Sequence, residues 1–318
     1  GMEINMKKVI VSGAAGFIGN AVARQLISQG VQVVAVVKPG TNRTSEAFRL
    51  KNFKATVVEC DLKEVELLPK LIKEKEYDAF YQFAWDGLDK ESFLDYEKQI
   101  DGIKWIMKSV EAASALRCNR FIGAGSVTQM ELFNQEGRMF TDDRHKYFRS
   151  VQLACETMGR ALAREKGIQF IWPIIINVYG EGETSTRLIN SMIRNLLAGK
   201  HQSFSSGKQL YDFIHIQDAA KAFCLIGDRG KEESQYMIGS GSPRQLKEDL
   251  NINRGIVATE MQLGMNELEF QGVEMTEKML NIDTLVRDTG VNPEIEFEEG
   301  IRRTLEWIVR EDKRNDIE

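Results

Sequence analysis

Apolar runs of strand length alternate with longer amphipathic segments through the first half of the chain. The runs at 31–37 and 170–176 carry few polar residues, which is typical of strands covered on both faces. The predicted strands, in chain order, are 8–11, 31–37, 55–58, 79–84, 120–123 and 170–176. The predicted helices between them are 20–29, 67–72, 103–116 and 151–166.

This alternation predicts an α/β fold with a doubly wound parallel sheet, because successive strand–helix–strand units place helices on both faces of one sheet. After residue 176 the rhythm changes to glycine-rich turns and shorter elements. We therefore predict a first domain over 1–176 and a smaller C-terminal region over 177–318, of which about 210–240 returns to the first domain. Ligands of such sheets bind beyond the carboxyl ends of the strands, so the second region is expected to close over that edge.

Composition and charge narrow the classes of partner. The 318 residues include 42 Lys and Arg against 47 Asp and Glu, a net charge of −5. Without a long basic block, nucleic acid and anionic membrane are not expected partners. The cysteines and histidines lack metal-ligand spacing, so we expect no metal site and reduced, buried thiols; they are Cys60, Cys118, Cys155, Cys224, His145, His201 and His215.

No segment has the character of a membrane span or a secretion signal. The chain leads directly into an apolar strand without a hydrophobic signal segment. The longest apolar stretch, around 170–176, is interrupted by Pro173 and is far shorter than the roughly 20 residues that cross a bilayer. We therefore expect a cytoplasmic protein.

Three glycines lie between the first predicted strand and the first predicted helix. Gly13 would permit a tight turn, Gly16 would let a pyrophosphate approach the backbone, and Gly19 would permit close packing of helix on strand. Phosphates would then lie at the helix N-terminus. A plain strand-to-helix turn is the alternative, but the flanking elements favour a dinucleotide-binding site.

The G-x-x-G-x-x-G spacing resembles that of the extended short-chain dehydrogenase/reductase family, the NAD(P)-dependent epimerases, dehydratases and reductases of nucleotide sugars. Further segments are similar to motifs of the family: Cys60-Asp61-Leu62, Asn177-Val178-Tyr179-Gly180, Tyr211-Asp212-Phe213-Ile214-His215-Ile216-Gln217-Asp218 and Glu298-Glu299-Gly300-Ile301. The resemblance covers about residues 8–308. It implies a Rossmann-type dinucleotide-binding domain over 1–176 and a mainly substrate-binding region over 177–318.

The resemblance also implies which residues bind cofactor and substrate. Besides the three glycines, the expected cofactor-binding residues are Phe17, Ile18, Asp61, Leu62, Phe83, Ala84 and Gln152. The expected substrate-binding residues are Thr128, Asn177, Tyr179, Arg187 and Arg287. The two arginines and Arg194 are candidates for a phosphate clamp, because Tyr211 stands where family members carry an arginine; a solvated surface arginine is the alternative.

The end of the second predicted strand bears on the choice of dinucleotide. An NAD enzyme usually places an acidic residue there, where it accepts hydrogen bonds from the ribose hydroxyls. This chain has Lys38 at that position and Arg43 shortly after it. Because these cations would pair with a 2′-phosphate, we predict a preference for NADP(H) over NAD(H), with solvated loop charge as the alternative.

The resemblance fails at the catalytic helix. Ser126 fits the family's proton-handling serine, but the family's Tyr-x-x-x-Lys pair is incomplete here. One register aligns Tyr147 with the tyrosine and Val151 with the lysine; the other aligns Phe148 and Gln152. Neither contains the lysine that would lower the tyrosine pKa from about 10, although Arg144 lies on the same helix face as Tyr147. We predict Ser126 and Tyr147 as the catalytic residues.

The predicted function is therefore an NAD(P)-dependent epimerase, dehydratase or reductase that acts on a nucleotide-diphosphate sugar. The alternative, favoured by the missing lysine, is a catalytically silent family member that holds dinucleotide as a sensor or subunit. The resemblance further implies a homodimer with a four-helix interface. An apolar stripe on the helix after the fourth strand would supply it: Ile103, Ile106, Met107 and Val110.

Overall fold

The computed structural model describes residues 2–41, 55–86, 88–134, 136–139 and 145–317. The chain forms two units by its internal packing. The first contains Gly1–Ile175, Ala220–Met237 and Thr284–Val291, and the second contains Ile176–Ala219, Ile238–Asp283 and Asn292–Glu318. The short segment Thr284–Val291, which the sequence analysis placed in the C-terminal region, thus belongs to the first unit.

The strands number thirteen in the described part of the chain. They are β1 (Lys8–Ser12), β2 (Gln32–Val37), β3 (Thr56–Glu59), β4 (Ala79–Gln82), β5 (Arg120–Ile122), β6 (Gly125–Ser126), β7 (Gln169–Ile171), β8 (Ile174–Ile175), β9 (Asn177–Tyr179), β10 (Leu210–Tyr211), β11 (Phe213–His215), β12 (Met237–Ile238) and β13 (Arg244–Gln245).

The α-helices of the described residues are α1 (Phe17–Ser28), α2 (Leu68–Leu71), α3 (Lys90–Phe93), α4 (Tyr96–Ala115), α5 (Lys146–Lys166), α6 (Leu188–Leu197), α7 (Ile216–Arg229), α8 (Leu246–Val257), α9 (Asp283–Thr289) and α10 (Phe297–Asn315). The described residues also form two 3₁₀ helices, Leu62–Leu67 and Val127–Leu132.

The first unit is organised around a six-stranded parallel sheet of order β3-β2-β1-β4-β5-β7. This confirms the predicted α/β, Rossmann-type doubly wound fold. Helix α4 begins seven residues before the predicted start at 103, because the Asp95 side chain accepts a hydrogen bond from the Lys98 N–H and caps it.

A ladder of stacked aromatic rings runs across one half of this sheet, from β4 to the edge strand β7. Phe80, Phe121 and Phe170 occupy aligned positions on β4, β5 and β7, and their ring centroids are 5.6 and 5.5 Å apart. Trp172 extends the ladder, 5.8 Å from Phe170. Helix α5 lies against it at Gly159, where a Cβ would come within 2.8 Å of the Phe170 ring. A small residue at this position therefore sets how closely α5 approaches the sheet.

The second unit is built on small sheets and three helices. Strands β9 and β11 pair in parallel, and β10 and β13 pair antiparallel. Helices α6, α8 and α10 bury apolar side chains in one core; these include Tyr179, Ile189, Ile193, Leu196, Phe213, Leu250, Phe297, Ile301 and Ile308. A capping box between Gln245 and Glu248 begins α8.

Two properties of the described residues bear on the predicted exclusions. Across this part of the chain, no helix is both long enough and apolar enough to cross a membrane. Nor do the described residues contain a group of three or more His, Cys, Asp or Glu side chains that is able to hold a metal ion.

Candidate functional site

The glycine segment forms a tight connection between β1 and α1. Gly13 has φ +78°, a left-handed conformation, and its N–H donates to Val36 O at 3.1 Å. A Cβ at Gly13 would lie 2.7 Å from the carbonyl carbon of Phe83, and one at Gly19 would lie 2.9 Å from the carbonyl carbon of Gly13. The backbone packing therefore leaves no room for a side chain at either position.

Gly16 differs from the other two glycines because it is exposed. A Cβ there would meet only Gly13 O, at 3.3 Å, among the described residues. Gly16 is also the N-cap of α1, and no side chain caps this helix. The N–H groups of the first helical turn, which includes Phe17 and Ile18, have no partners within the helix and point toward the same end. Gly16 thus gives a phosphate access to the positive end of the α1 dipole.

The end of β4 packs against the glycine turn. The Phe83 N–H donates to Ser12 O at 2.9 Å, and the Ala84 backbone lies beside Gly13. Asp61 caps the first 3₁₀ helix, since its Oδ1 accepts from the Lys63 N–H at 3.0 Å. Leu62 is half-buried at the start of that helix. The structure thus brings Phe83 and Ala84 to the glycine turn, while the Asp61 carboxylate has a local structural role.

The loop after β2 contains an acidic neighbour that sequence reasoning missed. Lys38 is exposed, and Arg43 lies outside the described residues. Glu59, the last residue of β3, pairs opposite Val37, and its Oε1 accepts a hydrogen bond from the Gly40 N–H at 3.2 Å. Only the strand register reveals this, because 21 residues separate Lys38 from Glu59 along the chain.

Ser126 and Thr128 form a hydroxyl pair at the end of β6. Ser126 caps the 3₁₀ helix Val127–Leu132, and its Oγ accepts from the Thr128 N–H at 3.3 Å and from the Thr128 hydroxyl at 2.9 Å. Both side chains are half-buried. Because Ser126 Oγ acts as acceptor in these bonds, its own O–H remains able to donate to a ligand.

Tyr147 faces α4. Its ring lies 6.2 Å from that of Tyr96, and Lys146 Nζ is 5.2 Å from the ring centroid. A surface pocket of about 370 Å³ lies between the two helices and is lined by Tyr96, Gln99, Ile100, Ile103, Tyr147, Ser150, Val151 and Ala154. The predicted pairing of Tyr147 with Ser126 stays a prediction. Arg144, the candidate replacement cation, lies outside the described residues.

Phe148 and Gln152 lie on a different face of α5 and are both buried. Tyr147 is about 100° around the helix from Phe148, whereas Gln152 is one turn along. The Phe148 ring packs edge-on against Trp85 at 6.1 Å and against Phe93 at 5.1 Å. Gln152 is 3% exposed, and its Oε1 has no hydrogen-bond partner among the described residues. The packing of α5 therefore favours the register in which Phe148 and Gln152 replace the tyrosine and the lysine.

An ion pair holds the neighbouring 3₁₀ helix against α5. Arg149 is 3% exposed, and its Nη2 donates to Glu131 at 2.8 Å. Gln129 adds a hydrogen bond to Glu156 at 2.9 Å. These contacts position the Val127–Leu132 segment, and with it the hydroxyl of Ser126 that caps it.

The residues predicted to bind substrate do not share one environment. Tyr179, which was predicted to bind substrate, is 2% exposed inside the second unit. Its ring fills the space left by the missing side chain of Gly300, where a Cβ would lie 2.7 Å from Tyr179 Cζ. Burial raises its pKa far above the ordinary value. Tyr179 is therefore a core residue of this unit.

The other candidates are more accessible. Asn177 is half-buried and pairs opposite Phe213, while Arg187 is exposed at the start of α6 and lies 3.3 Å from Glu183. Arg287 is exposed in the segment that belongs to the first unit, and it pairs with Asp288 at 2.9 Å. Arg287 holds the pKa of the Asp288 carboxyl well below its usual range. Arg187 and Arg287 thus already have carboxylate partners, while the guanidinium of Arg194, the third predicted clamp residue, lies 5.9 Å from the Trp307 ring centroid.

Two of the buried carboxyl groups of the second unit, those of Asp212 and Asp249, have raised pKa values. Asp212 accepts hydrogen bonds from the Ser240 N–H at 2.9 Å and from the Ser240 hydroxyl, and burial raises its pKa. Burial also raises the pKa of Asp249 to about 6, although Arg244 lies 2.5 Å away. Their hydrogen bonds and ion pairs offset only part of the free-energy cost of burying these carboxylates.

Comparison with known proteins gives consistent relatives along almost the whole chain. CDP-abequose synthase of Salmonella typhimurium is 26% identical over 315 residues, which cover 94% of this chain and 98% of that protein. The structure of UDP-glucose 4-epimerase of Thermotoga maritima with UDP-glucose has a TM-score of 0.78 at 17% identity and covers 96% of this chain and 99% of its own.

UDP-glucuronic acid 4-epimerase of Bacillus cereus, solved with NAD, has a TM-score of 0.76 at 18% identity and covers 96% of this chain and 98% of its own. These similarities to solved structures concern the fold. A family model described as the NAD dependent epimerase/dehydratase family matches residues 9–239, more than half of the chain. The chain belongs to the NAD dependent epimerase/dehydratase family.

Proposed function

We propose that the protein is an NAD(P)-dependent epimerase, dehydratase or reductase that acts on a nucleotide-diphosphate sugar. The observation that carries the proposal is the glycine turn, in which Gly13 and Gly19 are closed by backbone packing while Gly16 opens onto the uncapped end of α1. A pyrophosphate fits this cradle. The sugar-nucleotide substrate class is supported by relatives named for CDP and UDP sugars.

In this proposal the bound nicotinamide supplies hydride transfer, and the chain supplies orientation and proton handling. The Ser126 hydroxyl donates to the substrate oxygen, with the Thr128 hydroxyl hydrogen-bonded behind it. Phe148 has no proton to exchange, and Gln152 has no charge with which to lower a neighbouring pKa. Gln152 Oε1, buried and without a partner among the described residues, accepts a hydrogen bond from a ribose hydroxyl.

A second candidate function has a specific observation in its favour. If Phe148 and Gln152 occupy the places of the tyrosine and the lysine, the site binds both ligands but transfers protons poorly. General acid–base catalysis typically contributes a factor of about 10² to 10⁴ to a rate. A family member without it still holds dinucleotide and acts as a sensor or as a subunit.

Ligand titrations and single-turnover absorbance of the reduced nicotinamide separate the two candidates. Wild-type protein should bind a dinucleotide saturably, and turnover with any CDP, UDP or dTDP sugar would support the enzyme. If wild-type protein binds dinucleotide without detectable turnover, and the double variant Phe148→Tyr/Gln152→Lys has a turnover rate at least tenfold above the detection limit, the silent family member would be supported. Val151→Lys is the matched control, because it restores a lysine only in the Tyr147 register. No saturable dinucleotide binding at all would contradict both candidates.

We further propose that the protein forms a homodimer through the α4–α5 face, defined as Tyr96, Ile100, Ile103, Tyr147, Val151, Ala154 and Met158. This differs from the predicted stripe, because Ile106 and Val110 are 1% and 0% exposed in the protein's own core. The defined face instead exposes Tyr96, Ile100 and Met158 by 54%, 55% and 47%. A second copy would bury these side chains, since an isologous contact repeats the same apolar face.

Light scattering at micromolar concentration tests the dimer. Ile100→Lys should give a monomer, because it would bury an unpaired charge at the interface. Leu268→Lys is the control, since Leu268 is equally exposed at 56% but lies on the second unit. A wild-type monomer, or dissociation by both variants alike, would contradict the proposed interface.

The remaining expectations concern cofactor and location. The preference for NADP(H) predicted from Lys38 and Arg43 stays a prediction, and the carboxylate of Glu59 beside Gly40 opposes it. The described cysteines are all unpaired thiols, which is compatible with a reducing cytoplasm. The cytoplasmic location likewise stays a prediction, testable by fractionation.

A further inference from the structure

The strand register places a carboxylate at the edge of the sheet where the loop after β2 begins. Glu59 pairs opposite Val37, and Cys60 N–H continues the ladder to Val37 O at 2.9 Å. The Glu59 side chain reaches across to the loop, where its Oε1 accepts from the Gly40 N–H at 3.2 Å. Glu59 is therefore held at the carboxyl ends of both β2 and β3.

In dinucleotide-binding sheets, an acidic side chain at the end of the second strand accepts hydrogen bonds from the adenosine ribose and disfavours a 2′-phosphate. The loop of this chain starts Lys38-Pro39-Gly40, without an acid. We propose that Glu59, supplied by the neighbouring strand β3, takes this role and selects NAD(H) over NADP(H). The inference rests on the proposed dinucleotide-binding function and adds the specificity residue to it.

Among the described residues, the other charges around this edge do not cancel the carboxylate. Asp61 adds a second acidic group two residues on, with its Oδ1 on the Lys63 N–H. The Lys63 ammonium is directed to Asp86, 3.4 Å away. Lys38 is the exposed cation of the described loop, and it has a long flexible side chain in water. The position of its ammonium is set by a flexible stem, whereas the Glu59 carboxylate is positioned by its hydrogen bond from the Gly40 N–H.

The expected size of the effect follows from charge. A 2′-phosphate carries nearly two negative charges, so a carboxylate about 5 Å away repels it even in a water-like dielectric. The same carboxylate gains a charge-assisted hydrogen bond from the 2′-hydroxyl of NAD. Together these effects should make NAD bind at least about tenfold more tightly than NADP.

Calorimetric titration of the full chain with NAD⁺ and NADP⁺ tests the proposal. Wild-type protein should prefer NAD⁺ by about tenfold or more, and Glu59→Gln should reduce that ratio to about threefold or less. The glutamine keeps an oxygen that accepts from the Gly40 N–H, so folding should be preserved. Glu64→Gln removes a nearby exposed carboxylate and is the charge-matched control, with the wild-type ratio expected. In 0.5 M salt the effect of Glu59→Gln on NADP⁺ should shrink.

Three outcomes would overturn the inference: a wild-type preference for NADP⁺, an unchanged ratio in Glu59→Gln, or an equal change in Glu64→Gln. If wild-type protein prefers NADP⁺ and Lys38→Gln loses that preference, the interpretation based on the basic loop after β2 would be restored. Failure of the underlying function is distinguishable, because it would appear as no saturable binding of either dinucleotide to wild-type protein.

Discussion

Replacing Gly16 by valine should abolish dinucleotide binding while the chain still folds. Gly16 has φ −76° and ψ 171°, an extended conformation that valine adopts readily. The nearest described atom to its Cβ would be Gly13 O at 3.3 Å, which requires only a small adjustment. A less favourable helix N-cap is partly offset by the lower entropy of the unfolded chain, so the free energy of unfolding should change by no more than about 1 kcal/mol.

The loss of binding should be much larger than the loss of stability. The valine methyl groups would occupy the space through which a pyrophosphate approaches the backbone N–H groups of the first turn of α1. Each charge-assisted hydrogen bond lost costs about 1.5–3 kcal/mol, so losing one or two should weaken binding by about 10-fold to 10⁴-fold.

Gly19→Ala is the informative comparison because, unlike Gly16→Val, it should lower the stability of the fold. Its Cβ would overlap the backbone of Gly13, 2.9 Å from the carbonyl carbon, and the strand and helix would have to separate. Overpacking of this kind costs about 1–3 kcal/mol, which lowers Tm by several degrees.

Thermal unfolding and calorimetric titration of the variants check this pair of expectations. Gly16→Val should keep its Tm within about 4 °C of wild type and lose saturable binding. The reasoning would be refuted by Gly16→Val that binds with wild-type affinity, or by Gly19→Ala that is as stable as wild type.

Three further predictions follow from buried groups. Burial raises the pKa of Asp249 from 3.8 to about 6. The contribution of this carboxyl group to the free energy of unfolding is therefore fully present below pH 4 and is lost as the pH rises from 4 to 6. In urea unfolding, the free energy of unfolding of Asp249→Asn relative to wild type should rise by up to about 3 kcal/mol from pH 4 to pH 7. The same difference between variant and wild type at both pH values would contradict this. Tyr179→Phe loses only a 3.5 Å hydrogen bond to Phe297 O, so it should change stability by less than about 1 kcal/mol and leave nucleotide-sugar affinity unchanged in titrations. Arg149→Ala should lower the free energy of unfolding by about 1–3 kcal/mol, because it removes a buried side chain together with its 2.8 Å ion pair to Glu131, and recovery in Arg149→Met/Glu131→Leu would separate the charge effect from packing.

Features that depend on local chemistry were predictable from the sequence. Apolar runs such as 31–37 became strands of a parallel sheet because doubly covered strands cannot tolerate alternating polar residues. The glycine spacing predicted the turn between β1 and α1 because Gly13 adopts a positive φ that other residues rarely reach. The helix caps were harder to predict from the sequence, since α4 begins after its Asp95 cap, before the predicted start.

The catalytic helix could not be aligned from its sequence. Tyr147 and Phe148 are adjacent, and both fit an apolar helical pattern, so periodicity alone does not say which one faces inward. The packing of α5 against α4 and against Trp85 decides it, because a rotation of about 100° separates neighbouring side chains. The degraded tyrosine–lysine pair therefore stays a prediction, and the buried positions of Phe148 and Gln152 support one of its two registers.

Glu59 and Tyr179 depended entirely on partners distant in the sequence. Glu59 acquires its position from the parallel pairing of β3 with β2, and Tyr179 is buried because Gly300, more than 100 residues later, leaves space for its ring. Sequence motifs record residue types at fixed spacing, and so they determined the fold, the family and the glycine turn between β1 and α1. Which carboxylate, hydroxyl or ring faces a ligand is set by contacts between segments that only the folded chain brings together.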